Sequence, residues 1–442
     1  MSESTRFDED PRQILAKGRM GGRQYLAVAI ATTLNALDGF DVLSISFASP
    51  GIAKEWGVSR AALGLVLSME LIGMAVGSII LGNIADRIGR RKTLMVSLVI
   101  MGLGMYLATH ATGVVVLSAY RLLTGLGIGG MLAVTNAVVA EFSNAKLKSM
   151  FVAIMSAGYP VGAIVGGSIA SGLLASTGDW RSVFYFGVVM SVVMLPVVYF
   201  VLPESVGYLV QKRPHGALER INDTMTKLGH RTVASLPPMT ADEPRTSVKQ
   251  LFSGGLGRIT ILLTAAYFAH IMTFYFILKW VPKIVVDMGF SPASAGGVLV
   301  WANVGGLIGA LTLSFLSVRL STRLLVIGAM LASTAAVIFF GHGADGLAGL
   351  SFLAALGGFF TNGAVSGLYA LVAHSFPSAV RAGGTGFVIG AGRAGAALGP
   401  VLAGLLFQSG MGLQGVAIAM AMGSIIGAVC LLGLRTTRES AL

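Results

Sequence analysis

Of 442 residues, 55% are hydrophobic and only 11% charged, mean hydropathy is +0.80, and glycine occurs 60 times. A soluble protein carries about 25% charged residues, so 31 basic and 19 acidic side chains cannot cover the cores that a water-soluble chain of this length would need. An ordinary soluble enzyme is excluded, and the solvent is lipid.

The formal charge of +12, with a pI near 10.0, is spread between apolar runs, as in the cytoplasmic loops of membrane proteins; no nucleic-acid partner is expected. One cysteine, Cys430, excludes an intrachain disulfide, a thiolate metal cage and a redox pair.

A helix needs about 20 apolar residues to cross roughly 30 Å of hydrocarbon. Runs of that kind predict twelve spans, at 24–49, 61–82, 93–110, 114–141, 147–174, 180–202, 258–281, 292–317, 324–341, 346–373, 380–408 and 412–434. Residues 1–23 form a charged N-terminal segment with no h-region or cleavage site, so no removable signal peptide is predicted. Two six-helix bundles, 24–202 and 258–434, flank a polar central loop, 203–257, and a tail follows at 435–442. Lys and Arg outside the spans fall mostly on the N-terminus, the even-numbered connections and the tail, which predicts cytoplasmic termini.

The halves resemble each other. Ala157-Gly158-Tyr159-Pro160-Val161-Gly162-Ala163 aligns with Ala391-Gly392-Arg393-Ala394-Gly395-Ala396-Ala397, and Gly73 and Gly77 align with Gly305 and Gly309. The fold class predicted is an all-α membrane protein of twelve transmembrane helices in two pseudo-symmetric bundles, an arrangement that places a transport site at mid-membrane between repeats.

Ionisable groups inside spans are costly, at least ~2.5–3.5 kcal/mol each at the helix centre, and must face the interior or water. In span 1, Asn35 precedes Asp38-Gly39-Phe40-Asp41. The two aspartates share one face, about 21 and 26 Å from the helix start, and resist double ionisation, so one can carry a coupling proton. Glu70 in span 2 lies at the depth of Arg121 in span 4, a pair readable as a tether or as part of a proton route.

The loop after span 2 reads Gly82-Asn83-Ile84-Ala85-Asp86-Arg87-Ile88-Gly89-Arg90-Arg91. It resembles the loop signature of the major facilitator superfamily, where Asp86 would accept hydrogen bonds and latch the halves; topology determination alone is the plainer reading. The equivalent stretch of the second half, Ser314 to Arg323, has lost the aspartate and glycine. Glu141, Lys146, Lys148, His374 and Arg381, at the same membrane face, read as gate charges.

Span 7 carries Tyr267, Phe268, His270, Phe274, Tyr275 and Phe276 before Lys279 and Trp280, rings that could stack on a flat ligand or face lipid. Arg393 in span 11, about 20 Å from its helix start, needs an anion: Asp38 or Asp41, or a substrate carboxylate. His270 is a further donor to that anion or a core histidine.

Taken together, Asp38-Gly39-Phe40-Asp41, the Asp86 loop, Arg121-Leu122-Leu123-Thr124-Gly125 through Glu141, and Arg381 with Gly392-Arg393-Ala394-Gly395 and Gly399-Pro400 resemble the aromatic acid:H+ symporter family of the major facilitator superfamily. The resemblance implies proton-driven import of a benzoate-type acid across the cell inner membrane by a monomer, with Asp38, Asp41, Asp86, Glu141, Arg121, Arg381 and Arg393 at functional positions.

The expected mechanism seats the carboxylate on Arg393, the ring among residues such as Phe40, Tyr159, Phe274 and Tyr275 with Asn35 and His270 nearby, and the proton on Asp38 or Asp41. Asp86, Arg87, Arg90, Arg91, Arg121, Glu70, Glu141, His374 and Arg381 serve conformational change. Alternatives are a proton-coupled antiporter exporting amphiphiles and a non-transporting receptor for aromatic acids. No cofactor, metal or enzymatic constellation is expected.

Overall fold

The computed structural model describes residues 10–238, 248–377 and 380–434. The first nine residues of the N-terminal segment, residues 239–247 of the central loop with Arg245, and the tail at 435–442 lie outside them. Sixteen helices are described: α1 (Pro11–Lys17), α2 (Gly22–Trp56), α3 (Arg60–Ile88), α4 (Arg90–Thr109), α5 (Val114–Phe142), α6 (Lys148–Thr177), α7 (Arg181–Val201), α8 (Val206–Lys212), α9 (Ala217–Leu228), α10 (Val248–Leu251), α11 (Leu256–Asp287), α12 (Pro292–Leu316), α13 (Thr322–His342), α14 (Gly346–Ser375), α15 (Arg381–Gln408) and α16 (Leu413–Leu432). Twelve of them, α2 to α7 and α11 to α16, are long and apolar enough to cross a membrane.

Three helices run six or seven residues further than the sequence predicts: span 2 continues through Asp86 to Ile88, and the other two differences occur at proline. Span 1 continues through Pro50 to Trp56. Proline removes the hydrogen bond to the carbonyl four residues back, and here the Ser49 hydroxyl donates to that carbonyl, of Ser46, at 2.9 Å. Span 7 likewise continues through Pro282 to Asp287. The central loop is not a plain loop: α8, α9 and α10 lie within it. It is anchored on the first six spans, where Tyr208 donates to the Arg87 carbonyl at 3.1 Å and His230 Nε2 meets Gln24 Oε1 at 2.8 Å.

The internal repeat is visible as packing. Gly73 and Gly77 of α3 lie against the carbonyls of Leu122 and Leu126 on α5, while Gly305 and Gly309 of α12 lie in the same way against Ala355 and Phe359 on α14. A Cβ at any of the four would collide with backbone. Without a hydrophobic drive between helices in lipid, such close approach supplies the van der Waals packing and holds each bundle rigid.

The bundles meet mainly through α3 with α15, α6 with α12, and α2 with α11. The close contacts lie toward the membrane face remote from the chain ends: Gly64 against Pro400 and Gly404, and Gly167 and Ser171 against Val300 and Gly296. Arg60 pairs with Asp287 at 3.3 Å across the same face. At the opposite face, which carries the start of α2, the gate charges make no ion pair with one another among the described residues. His374 and Arg381 are exposed, and Arg381 donates to the nearby Phe376 carbonyl at 3.3 Å.

Candidate functional site

Asp38 and Asp41 are fully buried, and none of their four carboxylate oxygens has a hydrogen-bond partner among the described residues. They lie one turn apart on α2, as their spacing requires. Asp41 faces into the first bundle, with its Oδ1 3.0 Å from where a Cβ on Gly187 of α7 would stand, and its charged neighbours are Glu70 and Arg121. Asp38 has Asp41 and Tyr159 as its neighbours.

Glu70 and Arg121, paired by depth in the sequence, form a fully buried ion pair. Arg121 also donates to the Asp41 carbonyl at 3.1 Å and Ser44 Oγ at 3.2 Å, and its guanidinium lies 5.1 Å from the Phe184 ring centre. A third charge joins them from the other bundle. Lys279 of α11, fully buried, places Nζ 3.4 Å from Glu70 Oε2 and donates to the Val42 carbonyl of α2. The sequence places it at the end of span 7, 258–281. With the helix running to Asp287, Lys279 lies about 12 Å inside the helix end, and an ionisable residue at that depth is itself the signal that should have singled it out.

Arg393 is partly accessible and makes no described hydrogen bond or ion pair. Of the two kinds of anion weighed for it, neither Asp38 nor Asp41 is joined to it among the described residues; the guanidinium beside the acids is Arg121. Around Arg393 stand four phenols: Tyr159 of α6 in one bundle, with Tyr267 and Tyr275 of α11 and Tyr369 of α14 in the other. Tyr267 and Tyr369 share a hydrogen bond of 3.1 Å. Tyr159 Oη is buried without a well-formed hydrogen bond although Tyr275 is adjacent. Tyr369 was not anticipated. Phe274 packs edge-on to Tyr275 with ring centres 5.2 Å apart and is partly accessible. Two groups of polar residues result: Arg393 with tyrosines of both bundles, and the buried cluster of Asp38, Asp41, Glu70, Arg121 and Lys279.

Three expected binding residues lie elsewhere. Phe40 packs edge-on against Phe186 at 5.0 Å and beneath Gly166, inside the first bundle. Asn35 donates to the Met155 carbonyl at 2.7 Å and fastens α2 to α6. His270 is fully buried, with Nδ1 2.9 Å from Ser424 Oγ and Nε2 3.0 Å from the Thr361 carbonyl, so both nitrogens are engaged within the second bundle. For His270→Ala the expected outcome is a loss of about 1–3 kcal/mol of stability from the orphaned groups, with ligand affinity within about twofold of wild type; calorimetry and ligand titration check both.

At the face bearing the start of α2, Arg90 pairs with Asp86 at 2.7 Å and with Glu141 at 3.1 Å. Gly89, at φ 104°, turns the chain there, and a Cβ would run into the Glu204 carboxylate. That carboxylate accepts from the backbone N–H of Arg90 at 2.8 Å and of Arg91 at 3.3 Å; burial pushes its pKa up, and these bonds oppose the shift. Arg91 lies 4.9 Å from the Tyr199 ring centre, and Arg87 is exposed. In the state described, the Asp86 network closes within the first bundle, and among the described residues it makes no ion pair with the second bundle.

The sequence matches the Major Facilitator Superfamily over residues 28–350 and 263–442. The chain belongs to that superfamily. A gallate transporter of Pseudomonas putida is 29% identical over 394 residues, covering 88% of this chain and 87% of the relative. The 4-hydroxybenzoate transporter PcaK of Pseudomonas aeruginosa is 30% identical over 418 residues, covering 93% of each. These relatives place this superfamily member in the aromatic-acid family that its span-1 motif resembles. It is a multi-pass membrane transporter and not an enzyme. Among solved structures, the xylose transporter XylE of E. coli in a partially occluded inward-open conformation aligns with TM-score 0.74 at 18% identity, covering 94% of this chain and 98% of that one, a likeness of fold.

Proposed function

We propose that the protein imports an aromatic carboxylate across the cell inner membrane by proton symport with alternating access. The observation that carries this reading is Arg393, a guanidinium without an ion-pair partner among the described residues, between the bundles and among four tyrosines. A planar fork of donors flanked by rings suits a benzoate-type anion: the carboxylate takes the fork bidentately and the ring stacks on phenol. Relatives named for gallate and 4-hydroxybenzoate transport support that substrate class.

The concentration of Lys and Arg on the termini and even-numbered connections favours cytoplasmic termini. The state described is then inward-facing, closed at the outer face by Gly64–Pro400 packing and the Arg60–Asp287 pair. Coupling follows from electrostatics. A carboxylate without donors in a dry interior costs several kcal/mol, and Asp38 and Asp41 both lack donors among the described residues. A proton taken up from outside on one of them removes that cost and lets the loaded chamber close; opening to the cytoplasm lets proton and substrate leave. The protein acts as a monomer in this scheme, with one chamber per chain.

Uptake of labelled 4-hydroxybenzoate into proteoliposomes tests it. An inward proton gradient is expected to accelerate accumulation at least about fivefold over protein-free vesicles and a protonophore to abolish the gain. Indifference to the gradient for every aromatic acid tried would refute symport.

A further inference from the structure

Lys279 has no part in the scheme above, yet it is a fully buried ammonium reaching from the second bundle into the first. Its surroundings are charged on each side. Glu70 faces it from α3, Arg121 lies beyond from α5, and the Val42 carbonyl meets it from α2. On its own helix Lys283 and Asp287 continue toward the outer face, where Arg60 of α3 joins them, and Trp280 fixes the neighbouring turn by donating to the Pro400 carbonyl of α15 at 3.1 Å.

The charges of the cluster are instructive. Glu70 is shared between Arg121 of its own bundle and Lys279 of the other. With all groups ionised, Asp38, Asp41 and Glu70 outnumber Arg121 and Lys279 by one. Separation of the bundles at the outer face must withdraw Lys279 together with α11, since Lys279 and Arg60 are described ties across that side, and the first bundle is then left with three acids against one guanidinium.

We propose that the Lys279 ammonium is a gate charge that enters this acid cluster when the outer face closes and there replaces the coupling proton. Resting on the symport reading, the step is a plain proton transfer. In the outward-open form a proton from outside water binds a carboxylate of the cluster. As the outer face closes with this proton aboard, Lys279 arrives beside Glu70 as a counter-ion; once the chamber opens to the cytoplasm, the O–H bond breaks and the proton leaves by way of Asp38, the acid adjoining Tyr159, to chamber water, with Lys279 holding the negative charge in its place. Lys279 and the proton are alternative neutralisers of the same negative charge, which ties proton release to the state of the outer gate.

Lys279→Gln tests the charge while keeping a donor for the Val42 carbonyl. The gate is read by maleimide labelling of Ser171→Cys, at the closed α6–α12 contact, on a Cys430→Ser background in nanodiscs. Lys279→Gln is expected to label at least about fivefold faster, to keep substrate counterflow, and to lose gradient-driven accumulation, with Lys279→Arg restoring slow labelling. Labelling and accumulation equal to wild type would overturn the proposal while leaving symport intact. Wild-type uptake that ignores a proton gradient would instead defeat symport, and this proposal with it. If Lys279→Gln does not assemble, Glu70→Gln reads the same contact from the other bundle: faster labelling supports the gate, and unchanged labelling overturns it.

Discussion

Arg393→Ala is expected to abolish saturable binding of aromatic acids, and Arg393→Lys to weaken it by about 10- to 100-fold. Charge-assisted hydrogen bonds are worth roughly 1.5–3 kcal/mol each. Lysine retains the charge but not the planar fork, so one of two parallel bonds is lost. Because Arg393 makes no described ion pair or hydrogen bond with protein, its removal orphans no buried carboxylate, and the fold should survive with a nearly unchanged melting temperature. Titration of the purified protein with benzoate, 4-hydroxybenzoate and gallate checks the effect. Unchanged affinity in Arg393→Lys would reassign the residue to structure.

Asp38→Asn should separate the two fluxes. Asparagine is neutral at every pH, so the variant sits permanently in the state that the proton normally creates. Accumulation against a gradient is expected to fall to protein-free levels, whereas exchange of labelled for unlabelled substrate across equal concentrations keeps a substantial part of its rate. The same change at Asp41 should be harsher, because Asp41 adjoins the Glu70–Arg121 pair and its backbone carbonyl already accepts from Arg121. Normal accumulation in Asp38→Asn would remove Asp38 from the proton path.

The membrane topology was legible because hydropathy and charge act on whole segments, and a run of some twenty apolar residues has few alternatives to spanning. Gly73, Gly77, Gly305 and Gly309 disclosed the repeat because close helix approach admits no other side chain. Depth was legible too: Glu70 and Arg121 were matched by counting residues, and they pair. Direction around the helix was not. At about 100° per residue, Tyr267, Tyr275 and Lys279 fall within roughly a 120° arc of α11, and His270 lies about 60° outside it, toward α14 and α16. Depth alone put His270 with Arg393; rotation puts it against Thr361 and Ser424. The same ambiguity turned Phe40 inward and gave Asp41 to Arg121. Helix ends at proline were the other loss, since whether Pro282 stops a helix depends on neighbours that one sequence does not display. That error hid Lys279.

The central claim is that negative cargo and a proton move together, and proton flow driven by substrate alone measures it most directly. Vesicles containing the transporter and a trapped pH indicator, at equal pH on both sides, would receive an external aromatic carboxylate, with protein-free and Asp38→Asn vesicles correcting for passive entry of the neutral acid. Luminal acidification in the wild type, well above both controls and saturating with substrate, is the result the account predicts. Substrate entry without any transporter-dependent change in luminal pH would contradict it.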